Sequence, residues 1–231
     1  MVDISFLKEY LDQLIVVEDT EDLKISYIEK HSDLVFVSFS STPPDNTEIH
    51  EQFITTLTDK GVTGVYVMDK KSSYGNNIDW SRVADVVKTI ANGRKMVSVG
   101  YCMGGTLAIA ATKHLPIYRV LAITPQYSIH PSVLPKDSFL NRWAEQIVEW
   151  KMPSLDGHIN NKTTYFIAGT NNYDDVIQMD MFPDKANVQK IIFKTDSHDL
   201  PGEMGNDLQE FMFDLIKLGK IKKKIRSMIV E

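Results

Sequence analysis

The sequence is poor in cysteine and has no long apolar run. Cys102 is the only cysteine among 231 residues, so no disulfide forms within the chain and a zinc site built from several cysteines is excluded. No stretch approaches the roughly 20 apolar residues of a membrane-spanning helix. The first residues also lack the basic and apolar regions of a signal peptide. We therefore expect a soluble, cytoplasmic protein.

The sequence also lacks the common binding motifs. It contains no phosphate-loop or dinucleotide glycine fingerprint, and its acidic residues do not combine with histidines at metal-ligand spacing. We therefore expect no cofactor and no metal. The formal net charge of −6 argues against a nucleic-acid partner.

One basic segment lies near the end of the chain. Its basic residues alternate with apolar ones at near-helical spacing, although Gly219 weakens a helix there. Such a segment either docks its apolar side on the domain, which we expect, or makes weak contact with an anionic membrane surface. The basic residues are Lys217, Lys220, Lys222, Lys223, Lys224 and Arg226.

Short β-rich runs alternate with longer amphipathic runs, which is typical of a parallel sheet with crossover helices. The strands are predicted at residues 14–17, 23–28, 34–39, 62–68, 95–99, 119–124, 164–168 and 188–193. The helices are predicted at 47–59, 79–91, 103–113, 138–150 and 203–218. This pattern predicts one α/β domain over residues 1–231, a three-layer sandwich with about eight mostly parallel strands. The first strands are expected to form a small meander, and the polar insertion at about 125–155 is the candidate lid.

The turn between the strand at 95–99 and the following helix has the form G-x-C-x-G, with Cys102 at its centre. In a nucleophile elbow the central residue is strained, and Gly100 and Gly104 let the strand and helix approach closely. The start of the helix favours thiolate over thiol at Cys102. The backbone N–H of Met103 is one expected oxyanion donor, and Ser40 or Ser41 supplies the second. The alternative is that Cys102 is a small buried apolar residue.

The segment Gly100-Tyr101-Cys102-Met103-Gly104-Gly105 resembles the elbow of the dienelactone hydrolase family. The resemblance implies the α/β-hydrolase fold and a Cys-His-Asp mechanism.

The expected base and acid follow in chain order. His198 comes after the last predicted strand, where this fold places its base. The acid is expected after the strand at 164–168. Asp174 is our choice, Asp175 is the reserve, and Asn172 lies nearer the place where such hydrolases usually carry the acid.

A second segment, residues 122–131, is similar to hydrolase-like proteins associated with bacterial surface-polysaccharide biosynthesis. Those proteins generally carry serine at the elbow, so Cys102 is a departure. We predict a hydrolase of an ester, lactone or thioester, acting on a small acyl or glycan substrate that Tyr101, Tyr127 and Trp143 contact. The alternatives are an acyltransferase or an inactive binding protein in surface-polysaccharide biosynthesis.

Overall fold

The computed structural model describes residues 7–43 and 49–230, and within these ranges an eight-stranded sheet forms the centre of the molecule. The strands are β1 (Ile15–Asp19), β2 (Leu23–Ile28), β3 (Leu34–Phe39), β4 (Thr63–Asp69), β5 (Lys95–Tyr101), β6 (Ile117–Ile123), β7 (Thr164–Gly169) and β8 (Val188–Ile192). Their order in the sheet is β1-β2-β4-β3-β5-β6-β7-β8. The two pairings of β2 are antiparallel and all others are parallel. The predicted fold class and mostly parallel sheet are confirmed.

The opening strands do not form the meander that the sequence suggested. Only β1 and β2 pair as a hairpin, because β3 lies between β4 and β5 in the middle of the sheet. Five of the six residues of β3 are buried, as expected for a strand covered on both faces. Its carboxyl end therefore lies beside that of β5.

Helices cover both faces of the sheet. They are α1 (Lys8–Leu11), α2 (Ile54–Asp59), α3 (Trp80–Ala91), α4 (Met103–Ala110), α5 (Asn141–Ala144), α6 (Tyr173–Met181), α7 (Leu200–Met204), α8 (Asp207–Leu218) and α9 (Lys223–Arg226). Along β3, Val35 and Val37 belong to an apolar cluster with α3, α4 and α6, whereas Phe36 belongs to a second cluster with α2, α7 and α8. This alternation gives the three layers.

Three predicted helices differ from the observed ones. The helix predicted at 47–59 includes only Ile54–Asp59, and part of its predicted start lies outside the described residues. The helix predicted at 138–150 is the single turn of α5. The helix predicted at 203–218 is divided because Gly205, with φ +49°, ends α7 before α8 begins. By contrast, the helix predicted at 79–91 is present as α3, and the Asp79 side chain caps it by accepting a hydrogen bond from the Arg82 N–H.

The basic C-terminal segment lies against the domain. Ile225 of α9 is fully buried, and Lys222 forms ion pairs with Glu210 and Asp214 of α8. Membrane contact by this segment stays a prediction. Across residues 7–43 and 49–230, no helix has both the length and the apolar character needed to span a membrane.

Candidate active site

Cys102 lies at a sharp turn between β5 and α4. Its backbone has φ 54° and ψ −124°, a conformation that non-glycine residues adopt only when the surroundings impose it. The Cys102 N–H donates to the carbonyl oxygen of Ile123 at 2.9 Å, and its own carbonyl oxygen accepts from Gly105 N–H at 2.9 Å. The turn is thus fixed to the neighbouring strand on one side and to α4 on the other.

The two flanking glycines are required by close backbone packing. A Cβ on Gly100 would collide with the backbone carbonyl of Gly104, and one on Gly104 would collide with the carbonyl oxygen of Phe39. The first turn of α4 therefore lies directly against the ends of β5 and β3. The predicted elbow geometry is present at Cys102.

His198 and Asp175 form a buried pair beside the elbow. The His198 Nδ1 lies 2.7 Å from Asp175 Oδ1, and the side chains are 18% and 2% exposed. Asp175 Oδ2 accepts a second hydrogen bond from the Thr170 hydroxyl at 2.5 Å. Backbone hydrogen bonds between the loops after β7 and β8, including Asn171 N–H to Thr195 carbonyl oxygen at 2.7 Å, hold the two side chains in register. A carboxylate so placed orients the ring and stabilises its protonated form.

Asp174, our choice for the acid, is not the carboxylate that the structure brings to His198. The segment forms a helix rather than a loop, with Asn172 as its N-cap accepting the Asp174 N–H at 3.1 Å. Successive helical side chains point about 100° apart, so Asp174 and Asp175 face different directions. Asp175, the reserve choice, is the one that faces His198. Asn172 instead donates its side-chain amide to the Asp196 carbonyl oxygen at 3.2 Å.

The surroundings of Cys102 favour the thiolate. Burial raises the pKa of its thiol, but the adjacent His198 ring, the Met103 N–H and the Ser41 hydroxyl together lower the pKa below its ordinary value. Burial lowers the pKa of His198, yet Asp175 and Cys102 outweigh this and raise it above its ordinary value. A lowered thiol pKa beside a raised imidazole pKa describes a thiolate–imidazolium pair.

The Nε2 atom of His198 is the ring atom available for chemistry. It is buried, and within the described residues it makes no hydrogen bond of ordinary geometry, although the ring is close enough to Cys102 to shift its pKa. Contacts of catalytic pairs are often long before substrate binds. With Nδ1 engaged by Asp175, Nε2 is the nitrogen left to exchange a proton.

Of the two serines predicted as oxyanion donors, Ser41 lies near the Cys102 sulfur, whereas both donors of Ser40 are engaged elsewhere. The Ser40 N–H donates to the Val67 carbonyl oxygen at 3.1 Å, and its hydroxyl donates to the His50 carbonyl oxygen at 2.7 Å. Both of its donors are therefore used to fix the end of β3. Ser41 is half-buried, and its hydroxyl lies close enough to the Cys102 sulfur to lower the thiol pKa.

The three aromatic residues proposed as substrate contacts have different surroundings. Tyr101 is half-buried and packs on His198, with ring centroids 5.6 Å apart. Tyr127 is held elsewhere, because its hydroxyl donates to Asp156 at 2.6 Å and its ring packs edge-on against Phe182. Trp143 packs against the apolar cluster that contains α4. Of these three, only Tyr101 has a described contact with Cys102, His198 or Asp175.

Two residues of the insertion reach the site and were not proposed from the sequence. Phe139 packs edge-on against the His198 ring at 5.3 Å. Gln126 is buried with its Oε1 3.8 Å from the Cys102 sulfur, and its amide nitrogen donates to the Thr124 carbonyl oxygen. Gln126 lies in the segment 122–131, which is similar to polysaccharide-associated hydrolase-like proteins. That similarity was the sequence signal from which a place for Gln126 in the site could have been predicted.

The candidate site is closed. Cys102 is only 5% exposed, and a surface cavity of about 610 Å³ lies elsewhere, lined by Tyr27, Glu29 and Arg94 among others. That cavity carries no part of the Cys–His–Asp arrangement. In enzymes with buried reactive groups, opening of a loop or lid admits the substrate.

Comparisons by sequence find no matching family profile and no matching curated protein. By structure, the chain is similar to the capsule O-acetyltransferase of Neisseria meningitidis serogroup A, with 14% identity, TM-score 0.66, and coverage of 88% of this chain and 93% of that one. It is also similar to an esterase of Pyrococcus furiosus, with 16% identity, TM-score 0.60, and coverage of 91% and 92%.

A third similar structure is the Glycosylation Associate Protein complex of Streptococcus agalactiae, with 12% identity and TM-score 0.61. The match covers 91% of this chain and 48% of that one. The strand order, the elbow at Cys102 and these similar structures agree with the resemblances noted in the sequence. The chain has the α/β-hydrolase fold.

Proposed function

We propose that the protein is an acyl-transfer enzyme of the hydrolase type that uses Cys102, His198 and Asp175. The observation that carries the proposal is the His198–Asp175 pair, with Nδ1 and Oδ1 2.7 Å apart, beside a thiol whose pKa is lowered. A buried apolar cysteine without a partner would have a raised thiol pKa instead. The acyl donor is an ester, lactone or thioester.

In the proposed first step, the Cys102 thiolate attacks the carbonyl carbon and forms a carbon–sulfur bond. The Met103 N–H and Ser41 stabilise the resulting oxyanion. The bond to the leaving oxygen or sulfur then breaks, and His198 Nε2 donates a proton to that atom.

In the second step, His198 accepts a proton from water as the water attacks the thioester, and the thiolate of Cys102 leaves. Asp175 stays ionised and holds the ring throughout.

A second candidate is transfer of the acyl group to a sugar hydroxyl. Two observations favour it: the similarity to a capsule O-acetyltransferase, and the burial of Cys102, which restricts water at the acyl-enzyme. The acceptor hydroxyl would take the place of water in the second step, with His198 accepting its proton. The acyl-enzyme is common to both candidates.

The test compares hydrolysis of small activated esters and acyl thioesters by the wild type, Cys102→Ala, His198→Ala and His130→Ala. The His130 ring accepts from Ser132 N–H and packs on Trp150, so this variant controls for the loss of a histidine. We expect activity in the wild type and His130→Ala and its loss in the other two. Equal rates in all four contradict the assignment.

Adding sugar acceptors to the same assays separates the two candidates. An acylated sugar formed faster than free acid supports transfer, and free acid alone supports hydrolysis. If neither product forms and Cys102 alkylates only at alkaline pH, the inactive binding protein is the correct interpretation.

A further inference from the structure

Tyr74 lies in the loop after β4, at the carboxyl edge of the sheet where the elbow also lies. Its side chain is almost fully buried, at 2% exposed, and its backbone has φ +54°. Within the described residues, the buried Tyr74 hydroxyl makes no hydrogen bond of ordinary geometry. A buried donor without an acceptor is destabilising.

The loop holds Tyr74 in this strained conformation through a buried carboxylate. Asp69 Oδ2 accepts hydrogen bonds from the Ser73 hydroxyl at 2.9 Å and the Gly75 N–H at 3.0 Å. The Asn76 side chain ties the loop to the insertion, because its Oδ1 accepts the Met152 N–H at 2.7 Å. These contacts together hold the backbone in a conformation that is unfavourable by itself, as is common at strained functional positions.

The Tyr74 side chain belongs to the same apolar cluster as Met103 and Leu107 of α4. The next residue, Gly75, has its backbone so near α4 that an added Cβ would lie 3.0 Å from Leu107. Burial raises the pKa of Tyr74 far above its ordinary value, and the adjacent Cys102 sulfur raises it further. The phenol therefore stays neutral and keeps a proton to donate.

We propose that Tyr74 is a further catalytic residue, whose hydroxyl donates a hydrogen bond to the Cys102 thiolate at rest and to the oxyanion during acyl transfer. This inference rests on the proposed function. When the thiolate attacks, negative charge moves from sulfur to the carbonyl oxygen bonded to the same carbon. A donor beside the sulfur follows the charge by a small rotation of its O–H. No proton leaves Tyr74, so its role is electrostatic.

In this role the Tyr74 hydroxyl has an acceptor at each stage: the Cys102 thiolate at rest and the oxyanion during acyl transfer. It also adds a third donor to the Met103 N–H and Ser41. The hydrogen bond between Asn76 and Met152 also joins the Tyr74 loop to the insertion.

The test is Tyr74→Phe, with Tyr66→Phe as the matched control. Tyr66 is also fully buried with a hydroxyl that has no partner of ordinary geometry in the described chain, but it belongs to the apolar cluster on the other face of the sheet. We expect Tyr74→Phe to lower kcat about 100-fold with little change in KM. It should also raise the pKa at which Cys102 alkylates. Tyr66→Phe should change neither.

An unchanged kcat and an unchanged thiol pKa in Tyr74→Phe overturn the proposal. If the wild type has no acyl-transfer activity, the proposed function fails, and the alkylation profile alone decides whether Tyr74 donates to Cys102. If Tyr74→Phe does not fold, 3-fluorotyrosine at position 74 replaces it. Its more acidic hydroxyl should lower the thiol pKa further, and no shift contradicts the hydrogen bond.

Discussion

The elbow and the insertion between β6 and β7 meet at the same sulfur, but they are constructed differently. The elbow is fixed by backbone contacts that leave no room for a Cβ at Gly100 or Gly104. In full, this insertion spans residues 124–163, wider than the predicted 125–155, and contains one helical turn. Side chains help to join it to the rest of the domain; for example, the Thr106 hydroxyl of α4 donates to the Gln126 carbonyl oxygen at 2.8 Å.

Under the proposed mechanism, this difference separates two tasks. The elbow fixes the backbone at Cys102, the proposed nucleophile. The insertion places the Gln126 and Phe139 side chains beside Cys102 and His198. We therefore expect the elbow to set the position of the sulfur and the insertion to influence which substrate binds.

The largest effect on stability is expected from Gly104→Ala. Its Cβ would overlap the Phe39 carbonyl oxygen, so α4 must move away from β3, at a cost of about 3 kcal/mol or more in the free energy of unfolding. The control is Gly157→Ala in the insertion, where φ is +74° but a Cβ meets nothing within 4 Å; it should cost about 1 kcal/mol. Denaturant unfolding measures the free energy of unfolding of both variants. Equal losses would mean that the backbone of the elbow is no more tightly constrained than that of the insertion.

The next effect is expected at the acid. Asp175→Asn should lower kcat about 10³-fold, because an amide does not stabilise the imidazolium and favours the wrong tautomer of His198. Without the carboxylate the pKa of His198 falls, so the alkaline limb of the activity profile moves to lower pH. Asp174→Asn, at the adjacent residue, which has no described contact with His198, should keep activity near that of the wild type. If Asp174→Asn lowers kcat more than Asp175→Asn does, the carboxylate that pairs with His198 in the active enzyme is not Asp175, which lies 2.7 Å from the ring in this structure.

The smallest effect is expected in the insertion. Phe139→Ala removes the ring that packs on His198 and should lower kcat/KM about fivefold, equivalent to about 1 kcal/mol. Val148→Ala, at a side chain that is 99% exposed, is the control and should have no effect. Steady-state kinetics distinguishes the two. A loss from Phe139→Ala as large as that from Asp175→Asn would show that the insertion also positions the catalytic groups.

The sequence predicts the elbow well because its signal is local. A strand, two glycines two residues either side of Cys102, and a helix all lie within one short segment, and each meets a steric requirement of the same turn. The acid was harder to assign. Asp174 and Asp175 are adjacent, and the direction in which each points depends on whether the helix has begun at Tyr173.

The remaining site residues depend on tertiary contacts. The sequence does not reveal that both Ser40 donors are used by the Val67 and His50 carbonyl oxygens. Nor does it indicate that Phe139, in a segment predicted as one long helix, reaches His198. The insertion carries little periodic pattern, so the apolar periodicity that identified the sheet gives no guidance there.

The most direct test of the account is the pH dependence of Cys102 alkylation by iodoacetamide in the wild type and in His198→Ala. Because the folded state lowers the pKa of Cys102, the wild type should stay reactive below pH ~8.5, the ordinary value for a free thiol, and lose reactivity only as the pH falls through the lowered pKa. In His198→Ala the profile should move to higher pH. Identical profiles, with both thiols reacting only near or above the ordinary value, would contradict a thiolate activated by His198.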